Sequence, residues 1–452
     1  MIGELYINLI PFVVVIISII GVYYIFTKPI YALYIIIFTF PFKNFYIFYG
    51  TSFEIWKILS LVFIIFKYPQ WITRGKLNMS YNKYYKILLI FIFFIFFSTA
   101  INFFILQINN PSQMEGGFLK NEGRIISQSI FFILTINLAL LPFLIVKSFK
   151  QIITSIKVLL NSTVVLGFFG LVQFIVVKFT GLNPFPIKGS DGISHSGYLM
   201  DSMFRINSLA GEPKHMSIAM VIGITILLLC QLKKIRIIKF NSLLLLLLLF
   251  NLFFAFSTTG YVMLAASLLL IAIFNGLFNL KIIFSILAVI FILKINISDS
   301  EIESFDKQKN RAGFEVQDQS IIDYFSDEPI QIFFGKGLGN IHHYSVKYIP
   351  DDFPLFQTTP YKANSGIIYM ISDYGFVGIL LLFWLVSSLI YSDFKLYREK
   401  TNQNLVNQNQ ILSLLTLIIA VLFLFRYYEL IFILVGLLIK KRNISTNTII
   451  SK

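Results

Sequence analysis

The segment from Arg205 to His215 holds the densest group of residues that can do chemistry, in the order Arg-Ile-Asn-Ser-Leu-Ala-Gly-Glu-Pro-Lys-His. Pro213 suits the first turn of a helix, where its missing N–H is not needed. A helix beginning there places Glu212 near the N-cap, with Lys214 and His215 in the first turn. A helix N-terminus attracts phosphate, and the Arg205 guanidinium can fork onto two phosphate oxygens. The simpler interpretation is that Glu212 caps the helix and pairs with Arg205 or Lys214.

A glycine-rich stretch, Phe334–Asn340, carries the second group. Exposed N–H groups in such a turn can hold an anion beside Lys336, although a plain turn is the simpler interpretation. It is not a Walker loop, because no Gly-Lys-Ser/Thr ends it. His342 and His343 follow at once, and no carboxylate or cysteine stands nearby at ligand spacing, so the sequence predicts no metal site. The two histidines are interpreted as a surface pair or as proton acceptors.

A third group opens an apolar run with Asn364-Ser365-Gly366 and continues to Asp373. Asp373 lies about two helical turns past Ser365. A carboxylate at that depth is expected to hydrogen-bond a neighbouring helix. Gly375 and Gly378 follow, and their predicted role is close helix packing.

Three more arginines and a hydroxyl-rich turn complete the candidates. Arg124 precedes an apolar run, Arg311 lies in a long loop, and Arg426 lies in the turn of the last hairpin, where Glu429 can pair with it. Several arginines around one polar surface suit a lipid-linked diphosphate. The turn at residues 257–260, Ser-Thr-Thr-Gly, is interpreted as one whose hydroxyls satisfy backbone groups, because no base is adjacent in sequence.

The composition decides what positions these residues. The 452-residue chain is 57% hydrophobic and 13% charged, against about 45–50% and about 25% in soluble domains. Such an excess excludes a soluble enzyme and predicts a polytopic membrane protein. The net charge of +15 is assigned to basic cytoplasmic loops rather than to nucleic acid. A single cysteine, Cys230, excludes a disulfide framework or a cysteine-bound metal cluster.

Continuous apolar runs predict an all-α bundle of about 12–13 transmembrane helices, since a spanning helix needs about 20 apolar residues. Thirteen candidate runs are counted in the sequence, and twelve or fourteen stay possible. They lie near 5–26, 29–42, 52–67, 86–106, 127–146, 157–179, 213–231, 240–256, 260–280, 282–298, 364–390, 410–425 and 428–439. Lys and Arg cluster in alternate connections, which the positive-inside rule assigns to the cytoplasm.

The connections on the opposite face include three long ones, 107–126, 180–212 and 299–363. The last contains eleven of the 22 acidic residues and many aromatic ones, so it is predicted to fold as a cap over the outer ends of the helices. The expected organisation is residues 1–298 with ten spans, the large outer loop, and residues 364–452 with the last spans and a cytoplasmic tail. No internal repeat is found, which weighs against transporters built from repeated halves.

The ordered pattern of these motifs over roughly residues 120–390 resembles the O-antigen polymerase and O-antigen ligase superfamily, most of all the Wzy-type polymerases. The elements are Arg-x6-Glu-Pro-x-His at 205–215, a Ser/Thr-Gly turn at 257–260, Phe-Gly-x-Gly-x-Gly at 334–339, and a polar pair leading to Gly-x-x-Gly at 364–378. Their order and their placement on one face carry the resemblance. One departure concerns the ligases, whose catalytic His corresponds to Asn364 here.

The resemblance implies a metal-independent glycosyltransferase of the bacterial inner membrane, without a cofactor, whose active site faces the periplasm. Its substrates would be undecaprenyl-diphosphate-linked oligosaccharides, donor and acceptor, reached within membrane lipid, with a chain-length regulator as a further partner and no nucleic acid. Glu212, His215, His342 and His343 are the candidate catalytic residues. Seven more are assigned to the diphosphate or sugar: Arg205, Arg311, Arg124, Arg426, Lys214, Lys336 and Asn364. The alternatives are an O-antigen ligase and, in a different class, a flippase for lipid-linked repeats.

Overall fold

The computed structural model describes most of the apolar runs as helices. The described residues are 2–43, 54–73, 83–109, 121–185, 187–189, 192–194, 198–199, 203–232, 241–274, 313–353, 366–398, 416 and 428–450. Their α-helices, in chain order, are α1 Ile2–Thr27, α2 Pro29–Thr39, α3 Ile55–Val62, α4 Tyr68–Thr73, α5 Lys83–Asn109, α6 Asn121–Ile145, α7 Phe149–Thr180, α8 Pro213–Leu232, α9 Asn241–Phe254, α10 Thr258–Phe274, α11 Gly313–Asp327, α12 Gln331–Phe334, α13 Ile341–Ser345, α14 Gly366–Arg398 and α15 Tyr428–Ile450. A π-helical turn, Phe63–Lys67, joins α3 to α4.

The helical membrane architecture predicted from composition is confirmed. Within the described ranges, seven helical segments are long and apolar enough to cross a membrane: α1, α3 through α4, α5, α6, α7, α8 and α14. Shorter apolar helices, α2, α9 and α10, accompany them. Eleven of the thirteen predicted spans coincide with described helices. The other two, 282–298 and 410–425, lie outside the described residues apart from Thr416.

Helix α7 shows how local sequence sets an element that supports the site. Ser148 caps its start by accepting a hydrogen bond from the Gln151 N–H, and Gly181 ends it in the left-handed conformation with φ of 68°. Its 32 residues extend about 48 Å, which exceeds the hydrocarbon thickness of about 30 Å. Helix α7 is therefore longer than an apolar layer is thick, so part of it lies beyond that layer.

Helix α8 is the most buried of the seven spanning segments, with 78% of its most apolar window inside the protein. It packs against α7, α9 and α10. Elsewhere α15 packs on α6, where a Cβ at Gly436 would stand 2.2 Å from the Ala139 carbonyl oxygen. Only a residue without a side chain allows two helices to approach so closely.

Two of the long connections between helices contain small ordered elements. Strands β1 Ile187–Gly189 and β2 Gly192–Ser194 form one antiparallel hairpin, and β3 Tyr198–Leu199 pairs with β4 Met203–Phe204 in another. These hairpins precede α8 and bring Arg205 to its start. In the large loop, α11 packs on α13 and α14, and α12 packs on α14. The described part of that loop is thus helical and rests on the bundle.

Candidate functional site

The segment that leads into α8 is held by a buried polar network from α7. Gln173 accepts hydrogen bonds at Oε1 from the N–H groups of Asn207 (3.1 Å) and Ser208 (2.7 Å). Ser208 donates its hydroxyl to the Leu166 carbonyl (2.9 Å), and the Asn207 amide donates to the Gly211 carbonyl (2.9 Å). Gln173, Asn207 and Ser208 are completely buried. A buried backbone group without a partner is costly, so this network fixes the path of residues 205–211.

Arg205 is anchored on the C-terminal end of α9. Its Nε donates to the Ala255 carbonyl (3.2 Å) and its Nη2 to the Phe256 carbonyl (3.0 Å). A helix C-terminus carries partial negative charge, which favours a cation there. The guanidinium is therefore fixed in orientation, and it has further N–H donors beyond these two bonds. Arg205 forms no ion pair with Glu212, so the pairing alternative is wrong for these two residues.

Glu212, Lys214 and His215 stand at the start of α8. The helix begins at Pro213, as predicted, and the Glu212 carbonyl accepts the Met216 N–H (3.0 Å) as an N-cap residue does. The Glu212 side chain is exposed, whereas Lys214 and His215 are half-buried. Glu212 acts electrostatically on both Arg205 and His215. The first sequence motif thus assembles a cation, a carboxylate and an imidazole around one helix end.

The turn at residues 257–260 lies beside this group. Ser257 accepts the Gly260 N–H at its hydroxyl oxygen (3.4 Å), and its carbonyl accepts the Tyr261 N–H (3.1 Å). The interpretation that this turn satisfies backbone groups is confirmed for Ser257. A Cβ at Gly260 would meet the Ser217 Cβ of α8 at 2.5 Å, so α10 and α8 touch here. Arg205 donates to the carbonyls of Ala255 and Phe256, which directly precede the turn, so the turn and the arginine lie together.

The glycine-rich stretch is packed into a kink of α14. Gly335 and Gly375 both have positive φ, 64° and 63°, and a Cβ on Gly335 would lie 2.5 Å from the Gly375 nitrogen. The break at Gly375 interrupts the helical hydrogen bonds, and the Lys336 N–H donates to the Ser372 carbonyl (2.7 Å). Gly375 therefore does not pack against another helix as predicted. It contacts the backbone of the glycine-rich stretch instead. Gly378 does face a neighbouring helix, at the Ile95 side chain of α5.

Several N–H groups of the stretch are used inside the protein. Besides that of Lys336, the Leu338 N–H donates to the Thr99 hydroxyl (2.9 Å), and the Gly335 N–H to the Gln331 carbonyl (2.8 Å). Gly337 has φ of 74°, and a Cβ there would stand 2.4 Å from the Thr99 Cα. The predicted open anion cradle does not fit this packing, since these donors already have partners.

Lys336 is enclosed between α5 and the loop helices. Its ammonium lies 3.9 Å from the Tyr344 ring centroid and 5.3 Å from that of Tyr324, and it donates to the Asn102 Oδ1 (3.3 Å). Only 4% of the residue is exposed. Burial lowers the pKa of its amine to about 8. The predicted phosphate contact of Lys336 is blocked in this arrangement, because the tyrosines and the loop cover the amine.

His342 and His343 group with Arg124. A Cβ on Gly339 would lie 3.5 Å from the Arg124 Cγ, which places the glycine-rich stretch against the start of α6. His342 is fully buried and His343 is half-buried, so a surface pair is wrong for His342. Burial, with Arg124 as a further cause, lowers the pKa of His342 to about 3 and that of His343 to about 4. Both are neutral at physiological pH and are weak bases there.

A third charged group was missed by the sequence analysis. Glu54, just before α3, lies 2.9 Å from the Lys43 ammonium and 3.3 Å from that of Lys57, and its Oε2 accepts the Trp56 indole N–H (2.7 Å). The available signal was Lys57, a charge inside a predicted span, because such a charge needs a reason.

The remaining predicted residues, Arg311, Asn364 and Arg426, lie outside the described part of the chain. Among the described residues, no group of three His, Cys, Asp or Glu side chains comes together. In comparisons with known proteins, the chain matches no protein-family model and no curated protein.

Proposed function

We propose that the protein is a polysaccharide polymerase of the O-antigen type. It transfers the growing glycan from undecaprenyl diphosphate onto the next undecaprenyl-diphosphate-linked repeat at the periplasmic face of the bacterial inner membrane. One observation carries the proposal: the anchored guanidinium of Arg205 lies within electrostatic range of Glu212, whose exposed carboxylate begins α8 beside His215. Anion stabilisation and proton acceptance thus meet at one end of a membrane helix bundle.

The chemistry needs these two functions and no more. The acceptor hydroxyl oxygen forms a bond to the sugar carbon of the donor, and the bond from that carbon to the diphosphate breaks. The diphosphate leaves with the electron pair, and Arg205 stabilises its charge through donors fixed in advance. The hydroxyl proton passes to Glu212 or His215, as a carboxylate or neutral imidazole permits.

The location of the group supports a lipid-linked substrate. Arg205 is joined to the C-terminal end of α9, and Glu212 and His215 to the N-terminal end of α8. Both are ends of apolar helices, so the reacting groups lie at the boundary of the apolar layer. A diphosphate carried on a membrane lipid is presented at that depth, whereas its sugars extend into water.

A strain carrying the Arg205→Ala variant tests the assignment through its lipopolysaccharide ladder. The variant is expected to give core plus one repeat, with normal amounts of protein in the membrane. Arg205→Lys keeps the positive charge but loses the paired N–H donors of the guanidinium, and it should give a shortened ladder. Lys28→Gln, an exposed cation at the start of α2, serves as the control and should give the wild-type ladder.

The same experiment distinguishes the other functions. Bare core with lipid-linked polymer accumulating in a deletion strain would indicate a ligase. Bare core with unpolymerised repeats held inside the cell would indicate a flippase. Either pattern, or a normal ladder from Arg205→Ala, would overturn the proposal.

A further inference from the structure

An apolar groove follows the line of contact between α7 and α9. Its volume is about 710 Å³, which is in the range of small-molecule sites. Every residue that lines it is Leu or Phe, from Phe168 and Leu171 on α7 and from Leu243 to Phe254 on α9. The α9 part extends about 16 Å along the helix axis, about half the hydrocarbon thickness of a bilayer. The groove is open along its side, where Leu246 is 64% exposed.

One end of the groove adjoins Arg205. Phe254, which lines that end, accepts a hydrogen bond at its carbonyl from the Ile206 N–H (3.0 Å). The next two carbonyls of the chain, those of Ala255 and Phe256, accept the Arg205 guanidinium at 3.2 and 3.0 Å. A guanidinium has N–H donors beyond two such bonds. A cation with further donors therefore lies where the apolar groove ends.

The backbone at this end is held in an uncommon conformation. Phe256 has φ of 42°, which is an outlier for a bulky residue and persists only where the surrounding structure fixes it. The carbonyl of this residue is the one that binds Nη2 of Arg205. In addition, the Tyr261 hydroxyl of α10 donates to the carbonyl of the groove residue Phe253 (2.8 Å). These contacts fix the end of the groove and the guanidinium relative to each other.

We propose that the groove holds the polyprenyl chain of the lipid-linked diphosphate, with the diphosphate bound at Arg205. This inference deepens the proposed polymerase and takes the identity of the diphosphate from it. A diphosphate at Arg205 leaves its lipid chain beside Phe253 and Phe254, because the carbonyls that hold the guanidinium directly follow these residues. The cation and the groove thus match the two parts of one amphiphile.

The groove gains its affinity through close packing. Lipid tails are as apolar as leucine, so moving a chain from the bilayer into the groove removes no apolar surface from water. What remains is dispersion attraction, which requires that the chain fit the walls. A bulky side chain placed in the groove should therefore weaken binding of a long chain more than binding of a short one.

The first test is photolabelling of the purified protein, which does not depend on activity. The probe is undecaprenyl diphosphate with a diazirine in its chain, and labelled peptides are mapped by mass spectrometry. Label is expected within 168–171 and 243–254, and unlabelled undecaprenyl diphosphate should displace it. Label elsewhere would mean that another segment or a second copy covers the groove. Equal displacement by phosphatidylglycerol would mean that it holds ordinary phospholipid, and either result would overturn the inference.

The second test is the dependence of KM on chain length. For each protein, the KM of repeats linked to geranyl diphosphate is divided by that of undecaprenyl-linked repeats. Leu246→Trp should lower this ratio about fivefold, which corresponds to about 1 kcal/mol. The matched control is Leu89→Trp on α5, since Leu89 is 56% exposed and also lies near the start of its helix. An unchanged ratio in Leu246→Trp, or an equal change in Leu89→Trp, would overturn the inference.

The two tests also separate this inference from the proposed function. Displaceable label in the groove of a protein that makes no polymer would retain the lipid site and refute the polymerase. A polymer ladder from a protein labelled elsewhere would retain the polymerase and refute the groove.

Discussion

Replacing Gln173 with Leu removes the side chain that fixes the approach to α8. The two buried N–H groups of Asn207 and Ser208 lose their acceptor, at 3.1 and 2.7 Å in the structure. A buried donor without a partner costs about 1–3 kcal/mol, so the loss is about 2–6 kcal/mol. The amide's own bond to the Asn183 side chain (2.8 Å) is lost as well. Residues 205–211 should then leave their native path, and Arg205 should move with them.

Two measurements follow from this prediction. Hydrogen–deuterium exchange of the peptide containing residues 205–211 should increase at least tenfold, since about 1.4 kcal/mol corresponds to a factor of ten. Polymerase activity should fall by at least the same factor while α8 itself stays protected.

The matched control is Gln151→Leu on the same helix. Gln151 accepts one hydrogen bond, from the Lys147 N–H (2.7 Å), in an exposed position. Its loss should cost below about 1 kcal/mol, because water replaces the partner. The reasoning that the buried network places Arg205 would be refuted if Gln173→Leu and Gln151→Leu gave the same hydrogen–deuterium exchange rate for residues 205–211 and the same polymerase activity.

Two further predictions concern stability. Gly375→Ala should lower the free energy of unfolding in detergent by several kcal/mol. Its Cβ would stand 2.4 Å from the Phe334 carbonyl carbon, and the backbone there has a φ of 63°, which strains any residue with a side chain. Gly181→Ala is its control: with φ of 68° and nothing within 4 Å, it should cost only about 1–2 kcal/mol, and equal losses would contradict the packing argument. Wild-type stability should rise from about pH 8 to about pH 10.5, because the unfolded chain there holds a proton that folded Lys336 has released. Lys336→Met should flatten that rise. If thermal unfolding gave the same dependence of stability on pH for the variant and the wild type, the interpretation that burial lowers the pKa of Lys336 would be contradicted.

The fold and the start of α8 could be predicted because they depend on local signals. Continuous apolar runs identify helices in lipid regardless of their neighbours, and Pro213 marks a helix start by its own geometry. The Ser257 turn was predicted for the same reason, since its hydroxyl bonds a backbone group three residues away.

The glycine-rich stretch and the missed cluster depend instead on distant partners. Gly337 needs its conformation because Thr99 approaches from α5, more than two hundred positions away in the chain. Glu54 becomes a candidate only when the structure brings the Lys43 ammonium onto its carboxylate. A pattern of residue types along one chain carries no distance between such positions, so the sequence identifies candidate motifs but not which of them meet.

The most direct test of the central claim is polymerisation by the purified protein. Protein in detergent is given synthetic undecaprenyl-diphosphate repeat units, without metal or nucleotide sugar, and the products are separated on a gel. The account predicts a ladder from wild type and from Lys28→Gln, and none from Arg205→Ala. The absence of a ladder from folded wild-type protein with authentic repeats would contradict it.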